Sequence, residues 1–333
     1  MNEKIKKHFP RFIAVFFTVS PILALKLFVI PFLTMNKPKY DWYAYKHKVI
    51  LSFLKKRMKK TINIYKDKQN DVIPFKEKFP IWVFWWQGIE DMPLIIKKCY
   101  RTLEQFSNGH KVNLVTKINY KKYITIPDYI LIKAEKKELS ITHLTDIIRV
   151  CLLYEHGGLW LDSTVLLTKP ITEIPLICTH LGFWTPKDNG EILETCFGTS
   201  NWIVRENKWL TFCFYQSKNN ILTEILRSLF FVYVKYFKYF IDYFLFDYFF
   251  AIAYEINNDV RVMIDSVPVN NPKIHEIQHR LNLNYRYNKE LFDNICKDTF
   301  FHKLSWKENY KEYTNNNELT NYGYIINNYP PKE

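Results

Sequence analysis

In the middle of the chain, short apolar runs alternate with segments of helical spacing. Residues 79–88, FPIWVFWWQG, form an aromatic and β-branched run that stops at a glycine, which predicts a strand and a turn. A helix is predicted from Pro93 to about Phe106, and a second short strand over residues 112–115. Strands that alternate with helices are typical of an α/β domain with a parallel sheet.

The stretch EHGGLWLDSTVLL, residues 155–167, marks a second strand-forming region. Ser140 is a suitable N-cap for a helix over residues 141–155, and the two glycines that follow end this helix. The apolar run 159–161 predicts a buried strand closed by Asp162. A carboxylate there is costly to bury unless it meets a metal, a cation or hydrogen-bond donors, but Asp-Ser-Thr is also good turn chemistry. Both interpretations stay open on spacing alone.

The N-terminal region is apolar and basic. Residues 12–33 are nearly long enough for a spanning helix, but Lys26 and two prolines interrupt them. This pattern favours a segment that lies in the membrane interface; a single transmembrane anchor and a helix packed on the domain are the alternatives. We therefore predict a membrane-associating helical extension over residues 1–77, a catalytic domain over residues 78–310 and a loose tail over residues 311–333.

The very aromatic stretch over residues 222–253 contains charges that argue against a dry membrane span. It predicts one or two amphipathic helices, with a side that faces either the membrane or an acceptor.

Composition and charge narrow the classes of partner. The chain has 333 residues, of which 48% are hydrophobic, and this is enough for a large core. A net charge of +14 favours anionic partners. No nucleic-acid-binding motif is present, so nucleic acid is not an expected partner. The basic run over residues 55–60 favours an anionic membrane surface, with a solvated helix face as the alternative. Six scattered cysteines indicate reduced thiols and a cytosolic protein.

Two charged residues precede Asp162 on the predicted helix. Asp146 and Arg149 are three residues apart, so their side chains share one side of the helix. In α/β sheets, ligands bind beyond the carboxyl ends of the strands, where Asp162 is expected. Taken alone, the pair on the helix favours an ordinary surface ion pair, because such i,i+3 pairs are common.

The combined pattern Asp146-x-x-Arg149 … Gly157-Gly158-x-x-x-Asp162 resembles the core motif of the family 32 glycosyltransferases, in particular their bacterial capsular polysaccharide synthesis branch. The segments over residues 81–88 and 163–170 are similar to this branch as well, and the resemblance covers about residues 79–305. It implies a GT-A fold, with a Rossmann-like nucleotide-sugar half and an acceptor half. It also implies glycosyl transfer from a nucleotide sugar to a saccharide, with retention of anomeric configuration.

The resemblance also implies roles for individual residues. A base-stacking role falls to Trp85, with a core tryptophan as the alternative. Asp146 and Arg149 would hold the sugar and the diphosphate, and Gly158 would allow close approach of the backbone to the nucleotide sugar. Asp162 matches the first acid of an Asp-x-Asp motif, which contacts the ribose and a divalent metal.

The motif departs from the family at its second acid, which is Thr164 here. A divalent metal, Mn²⁺ or Mg²⁺, would then depend on Asp162 with help from His302, for which a structural role is the alternative. Lys303 would neutralise the leaving diphosphate. Asp247 would act as a base or orienting group on the acceptor side, or as a buried, hydrogen-bonded aspartate.

These features together predict a membrane-associated glycosyltransferase at the cytoplasmic face of a bacterial membrane, held peripherally or by one anchor. The expected partners are a nucleotide-sugar donor, with a UDP-sugar favoured, and a saccharide or lipid-linked oligosaccharide acceptor in capsule synthesis. Two alternatives are a transferase that modifies a host protein and a non-catalytic membrane-interaction protein on a degenerate transferase scaffold.

Overall fold

A computed structural model describes residues 3–33, 39–71, 78–171, 182–187 and 208–330. The described strands are β1 (Ile81–Phe84), β2 (Val112–Val115), β3 (Gly158–Asp162), β4 (Val165–Leu167), β5 (Phe183–Trp184), β6 (Cys213–Gln216) and β7 (Phe301–Lys303). Five of them form a mixed sheet in the order β2-β1-β3-β6-β5, in which β2, β1 and β3 are parallel and β6 and β5 are antiparallel to their neighbours. The strands β4 and β7 form a separate antiparallel pair. The chain is therefore an α/β protein, as the alternating pattern predicts.

Helices surround this sheet and share one hydrophobic core with it. Their bounds are α1 (Glu3–Thr18), α2 (Pro21–Ala24), α3 (Ile30–Leu33), α4 (Lys39–Arg57), α5 (Lys59–Tyr65), α6 (Leu94–Phe106), α7 (Asp128–Glu135), α8 (Ile141–His156), α9 (Ile221–Tyr236), α10 (Leu245–Ile256), α11 (Asn258–Asp265), α12 (Glu276–Asn282), α13 (Lys289–Cys296) and α14 (Asn321–Asn328). A π-helical turn (Leu25–Val29) joins α2 to α3, and a 3₁₀ turn (Tyr120–Lys122) follows β2.

The apolar N-terminal segment folds back on itself. The hydroxyl of Ser20 accepts a hydrogen bond from the Leu23 backbone N–H, and Pro21 occupies the first turn of α2, so that a new helix begins where α1 has just ended. The rings of Phe12 and Phe28 meet with centroids 6.1 Å apart, which closes a helical hairpin over residues 3–33. None of the helices in the described part of the chain is both long and apolar enough to cross a bilayer.

The predicted extension is joined to the rest of the protein through α4 and α5. Ile50 and Leu54 of α4 are completely buried in the common core. His47 forms a 2.6 Å hydrogen bond with the hydroxyl of Tyr248 in α10, and Lys46 lies 2.5 Å from Asp242 just before that helix. Residues 39–65 therefore pack as part of the same folded body as the sheet.

The C-terminal segment, expected to be loose, is ordered as far as residue 330. Thr320 caps α14 by accepting a hydrogen bond from the Gly323 backbone N–H, and Ile325 is completely buried. The ring of Tyr324 stacks on that of Tyr287 at 3.8 Å. The expectation of a loose tail is wrong for residues 311–330, because short apolar contacts with distant parts of the chain fix this segment even though it lacks a long periodic pattern.

Candidate active site

The topology of the sheet creates a crevice between β1 and β3. These strands are parallel, with Phe84 opposite Asp162, so that both end at the same edge of the sheet. The chain leaves β1 for β2 on one side and returns through α7 and α8 to β3 on the other side. Ligands in open α/β sheets bind at such a reversal, beyond the carboxyl ends of the strands.

Helix α8 carries two charged residues toward this edge. The Ser140 hydroxyl accepts a 3.3 Å hydrogen bond from the His143 N–H and fixes the start of the helix. The helix ends at His156, and Gly157 follows it with a φ angle of 66°. Asp146 and Arg149 are both buried, and their side chains lie 3.5 Å apart. The pair predicted as neighbours on the helix is therefore a buried pair and not a surface ion pair.

Asp162 is the centre of the cluster. Its Oδ1 atom accepts hydrogen bonds from Arg149 Nη2 at 3.1 Å and from Trp160 Nε1 at 2.9 Å. Its Oδ2 atom accepts from Lys303 Nζ at 2.8 Å. Residues i and i+2 of a strand share one face, so the sequence pattern is sufficient to predict that Trp160 lies beside Asp162. This tryptophan is not among the site residues predicted from the sequence. The structure thus brings Asp146, Arg149, Asp162 and Lys303 together.

Protein groups surround the guanidinium of Arg149 and engage both of its terminal nitrogens. Besides Asp162, its guanidinium donates to the Thr211 carbonyl oxygen at 2.6 Å, and its central carbon lies 4.7 Å from the centroid of the Trp160 ring. The Nε atom is buried without a hydrogen-bond partner among the described residues. A buried, stacked guanidinium holds the two carboxylates in place, so Arg149 fits a positioning role better than direct contact with a diphosphate.

The protein shifts the pKa values of Asp146 and Asp162 in opposite directions. Burial raises the pKa of Asp146 to about 7, and the nearby charges of Asp162 and Asp247 add to this, whereas Arg149 opposes it. Burial also acts to raise the pKa of Asp162, but the charges of Lys303 and Arg149 and the hydrogen bonds from Lys303 and Trp160 outweigh it and hold this pKa below its ordinary value. At neutral pH, Asp162 is therefore ionised, and Asp146 is present in both its protonated and its ionised form.

Lys303 and His302 point to opposite sides of β7, as neighbours in a strand must. The Nζ atom of Lys303 contacts Asp162 and also donates to the Thr164 hydroxyl at 2.6 Å. The imidazole of His302 is completely buried and contacts the Thr299 carbonyl oxygen at 3.1 Å and the Thr168 hydroxyl at 3.3 Å. Burial lowers the pKa of His302 to about 3. The structure therefore does not bring His302 to Asp162, and the structural alternative for this histidine fits instead.

The residues at the site do not fit a resident divalent metal. Both oxygens of Asp162 and the hydroxyl of Thr164 already accept hydrogen bonds from cationic or N–H donors. A divalent ion on Asp162 would lie about 4 Å from the Lys303 ammonium, where repulsion amounts to about 8 kcal/mol at an effective dielectric constant of ~20. Across the described ranges, no three His, Cys, Asp or Glu side chains are grouped to hold a metal.

Gly158 lies at the opposite edge of the sheet from Asp162. The two residues are separated by the length of β3, about 13 Å at ~3.3 Å per residue. A Cβ atom at Gly158 would be 2.1 Å from the Pro80 carbonyl oxygen, and the φ angle is 100°. Packing of β3 against the chain before β1 therefore requires the glycine. The structure does not bring Gly158 into the site, contrary to its predicted contact with the nucleotide sugar.

Aromatic side chains line the edge next to Asp162. Trp85 follows β1 directly, and its ring meets that of the partly exposed Trp306 edge-on at 5.8 Å. The Trp85 indole Nε1 is buried without a hydrogen-bond partner in the described part of the chain. This tryptophan is thus half-buried at the end of β1 and retains an N–H donor, and its base-stacking role stays a prediction.

Two residues of the aromatic stretch lie near the cluster. Asp247 is buried in the first turn of α10 and accepts a 3.1 Å hydrogen bond from Trp209 Nε1, which matches the buried alternative for this residue. Tyr243 is 62% exposed. Surrounding protein raises the pKa of its hydroxyl, and the charges of Asp146 and Asp162 add to this. Sequence reasoning missed Tyr243, because no spacing rule connects it to residues 146–162.

Of three comparisons with known proteins, one gives a match. No curated protein and no solved structure matches the chain significantly. A family model described as capsular polysaccharide synthesis protein matches residues 32–323, which include every residue of the cluster described above. Because this match covers most of the sequence, the chain belongs to the family of capsular polysaccharide synthesis proteins.

Proposed function

We propose that this protein is a glycosyltransferase of capsule synthesis that transfers a sugar from a nucleotide-sugar donor to a saccharide acceptor. The observation that carries the proposal is the cluster of Asp146, Arg149, Asp162 and Lys303 at the carboxyl ends of β1 and β3. Membership of the capsular polysaccharide synthesis family supports a role in capsule formation. The strands β2, β1 and β3 are parallel, and the chain reverses its direction across the sheet between β1 and β3. This topology supports a nucleotide-binding half of the GT-A type.

Each group in the cluster suits one part of such a donor. Trp85, at the end of β1, offers an aromatic face for the nucleobase and a buried N–H donor. Asp146 is half ionised near neutral pH, so it can accept or donate a hydrogen bond at a sugar hydroxyl. Asp162, which Arg149 and Trp160 hold in place, would accept hydrogen bonds from hydroxyls of the ribose and the sugar.

The chemistry follows from where charge develops. Breakage of the bond between the anomeric carbon and the diphosphate leaves the electron pair on a phosphate oxygen, and a positive group placed there lowers the barrier. Lys303 supplies that charge. The oxygen of the acceptor hydroxyl forms the new bond and passes its proton to the departing phosphate, on the same face of the sugar, so that configuration is retained. No protein nucleophile is needed for this route.

The test is a transfer and hydrolysis assay over a panel of UDP-, GDP-, ADP- and dTDP-sugars. We expect release of nucleoside diphosphate from one donor class, UDP-sugars first. Asp162→Asn should lower this release by about 100-fold or more, because removal of a preorganised charged group at a reacting centre has effects of this order. Asp298→Asn, which removes an exposed aspartate near Lys273, is the matched control and should keep full activity. Equal activity of the two variants would remove Asp162 from the site.

A second part of the proposal places the enzyme at an anionic membrane surface. On α1, the exposed apolar side chains of Phe9, Ile13 and Phe17 repeat every four residues and so form one face. Phe17 and Leu33 are each 75% exposed. Exposed basic residues lie nearby in sequence at Lys26 and at Lys56, Arg57, Lys59 and Lys60. An apolar face combined with basic charge fits insertion of the hairpin into the interface of an anionic bilayer.

Vesicle co-sedimentation tests this localisation. The full chain should bind phosphatidylglycerol vesicles more tightly than phosphatidylcholine vesicles, and added salt should weaken the binding. Phe17→Glu should reduce binding by about tenfold or more, because burial of a phenyl ring is worth roughly 2 kcal/mol. Ile118→Glu, at a site that is 89% exposed and outside the hairpin, is the control. Equal loss in both variants would assign the binding to a different surface.

A further inference from the structure

Lys303 bridges the two ends of the Asp-Ser-Thr motif. Its Nζ atom donates to Asp162 Oδ2 at 2.8 Å and to Thr164 Oγ1 at 2.6 Å. These side chains belong to the first and third residues of the motif, the two positions that carry acids in an Asp-x-Asp sequence. Of these two positions, only the first, Asp162, carries an acid in this chain, and the ammonium of Lys303 lies between Asp162 and Thr164.

The backbone fixes this lysine in place. In the antiparallel pair β4–β7, Lys303 is opposite Val165, the residue that follows Thr164. The Leu304 N–H donates to the Thr164 carbonyl oxygen at 2.9 Å, and the Lys303 N–H donates to the Ile274 carbonyl oxygen at 2.9 Å. The lysine is therefore held on β7 next to β4, the strand that directly follows the motif, and the pairing of these two strands fixes the position of the charge.

The ammonium still has capacity for a ligand. Its three N–H donors meet two partners among the described residues, Asp162 and Thr164, which leaves one donor. The Lys303 side chain is 24% exposed, and its Nζ lies 5.0 Å from the centroid of the Phe212 ring, which shields one side. A positive charge that is partly desolvated, rigidly held and open on one side suits an anionic oxygen.

We propose that the ammonium of Lys303 takes the place of a divalent cation, so that this protein binds the diphosphate of its donor without metal. The inference rests on the proposed transferase function and specifies how the leaving group is neutralised. Lys303 keeps its proton throughout, because the electron pair from the broken bond stays on the phosphate and the proton from the acceptor goes to that same phosphate. This role also explains why the motif has Thr164 in the place of a second acid. An acidic side chain at position 164 would compete with the diphosphate for the ammonium of Lys303.

Isothermal titration of nucleoside diphosphates into the full chain tests the inference without a turnover assay. UDP, GDP, ADP and dTDP are each titrated in EDTA and in Mn²⁺. We expect the best of them to bind with affinities that agree within about twofold in the two buffers. Lys303→Gln should weaken that binding by about 10- to 100-fold in both buffers, the range for loss of one charge-assisted hydrogen bond. Lys303→Arg should retain a large part of the affinity.

The matched control is Lys289→Gln. Lys289 also pairs with an aspartate, Asp293 at 2.5 Å, but on the surface of α13, so its loss lowers the net charge equally and should leave the affinity unchanged. Thermal melting of each variant checks folding. If Lys303→Gln does not fold, Lys303→Arg and the comparison of EDTA with Mn²⁺ on the unchanged protein still test the inference.

The outcomes separate the inference from the function on which it rests. Binding that EDTA abolishes and Mn²⁺ restores would overturn the role of Lys303 and leave the transferase standing. Affinity in Lys303→Gln equal to that of the unchanged protein would do the same. Absence of binding of every nucleoside diphosphate in both buffers would remove the transferase function, and the role of Lys303 with it.

Discussion

Replacement of Asp146 by asparagine should change how the stability of this protein depends on pH. Asp146 is buried in α8, 3.5 Å from Arg149 and near two other carboxylates. Burial raises its pKa from 3.8 to about 7. Asparagine has nearly the same shape and carries no charge at any pH, so a comparison of the two proteins isolates the titration of this one group from the titration of the rest of the chain.

The expected magnitude follows from proton linkage. In the unfolded chain Asp146 releases its proton near pH 4, whereas in the folded protein it holds the proton up to about pH 7. Between these values the folded state binds more protons, so the free energy of unfolding falls as the pH rises. Each pKa unit corresponds to about 1.4 kcal/mol. Relative to Asp146→Asn, the unchanged protein should therefore lose on the order of 2 to 3 kcal/mol between pH 5 and pH 8, with most of the loss below pH 7.

Urea unfolding followed by tryptophan fluorescence at several pH values between 5 and 8 measures this difference. Asp128→Asn, at an exposed aspartate that begins α7, serves as the control for removal of a carboxylate from the surface. A free-energy difference between the unchanged protein and Asp146→Asn that stays constant from pH 5 to pH 8 would refute the assignment of a raised pKa to this side chain. The protonation state proposed for sugar binding would fall with it.

Three further changes have expected outcomes. Gly158→Ala should lower the free energy of unfolding by about 3 kcal/mol in urea titrations, because a Cβ atom would meet the Pro80 carbonyl oxygen at 2.1 Å and φ is 100°; a loss below about 1 kcal/mol would contradict the packing of β3. Trp85→Leu should weaken UDP binding by about 10- to 100-fold, the usual range for loss of one base-stacking ring, and calorimetry that shows unchanged affinity would contradict its position at the donor. Tyr243→Ala should leave the melting temperature unchanged, because the ring is 62% exposed. It should raise the KM for either the nucleotide-sugar donor or the saccharide acceptor, with Tyr243→Phe as the control.

Local patterns in the sequence predict the elements that frame the site. The helix predicted over residues 141–155 is Ile141–His156, and the strand predicted over residues 112–115 is Val112–Val115. These agreements have a physical cause: helical periodicity, a capping serine and glycines at the helix end act within a few residues of one another. The meeting of Asp146, Arg149 and Asp162 follows as well, because the helix runs through a short turn into the strand that ends at Asp162.

Long-range register is what the sequence pattern does not contain. Lys303 reaches Asp162 across 141 positions of the chain, and the pairing of β4 with β7 decides that Lys303, and not its neighbour His302, faces the site. A shift of one residue in that register would exchange the two side chains. The burial of Asp247 likewise depends on Trp209, which packs against α10 from a distant segment. Burial and partner identity of this kind arise from tertiary packing.

A crystal structure of the protein with a bound nucleoside diphosphate tests the central claim most directly. The account predicts the diphosphate at the carboxyl ends of β1 and β3, with a phosphate oxygen about 3 Å from Lys303 Nζ and the base against Trp85. A nucleotide bound at any other place, with Asp162 and Lys303 still paired and neither of them in contact with it, would contradict it.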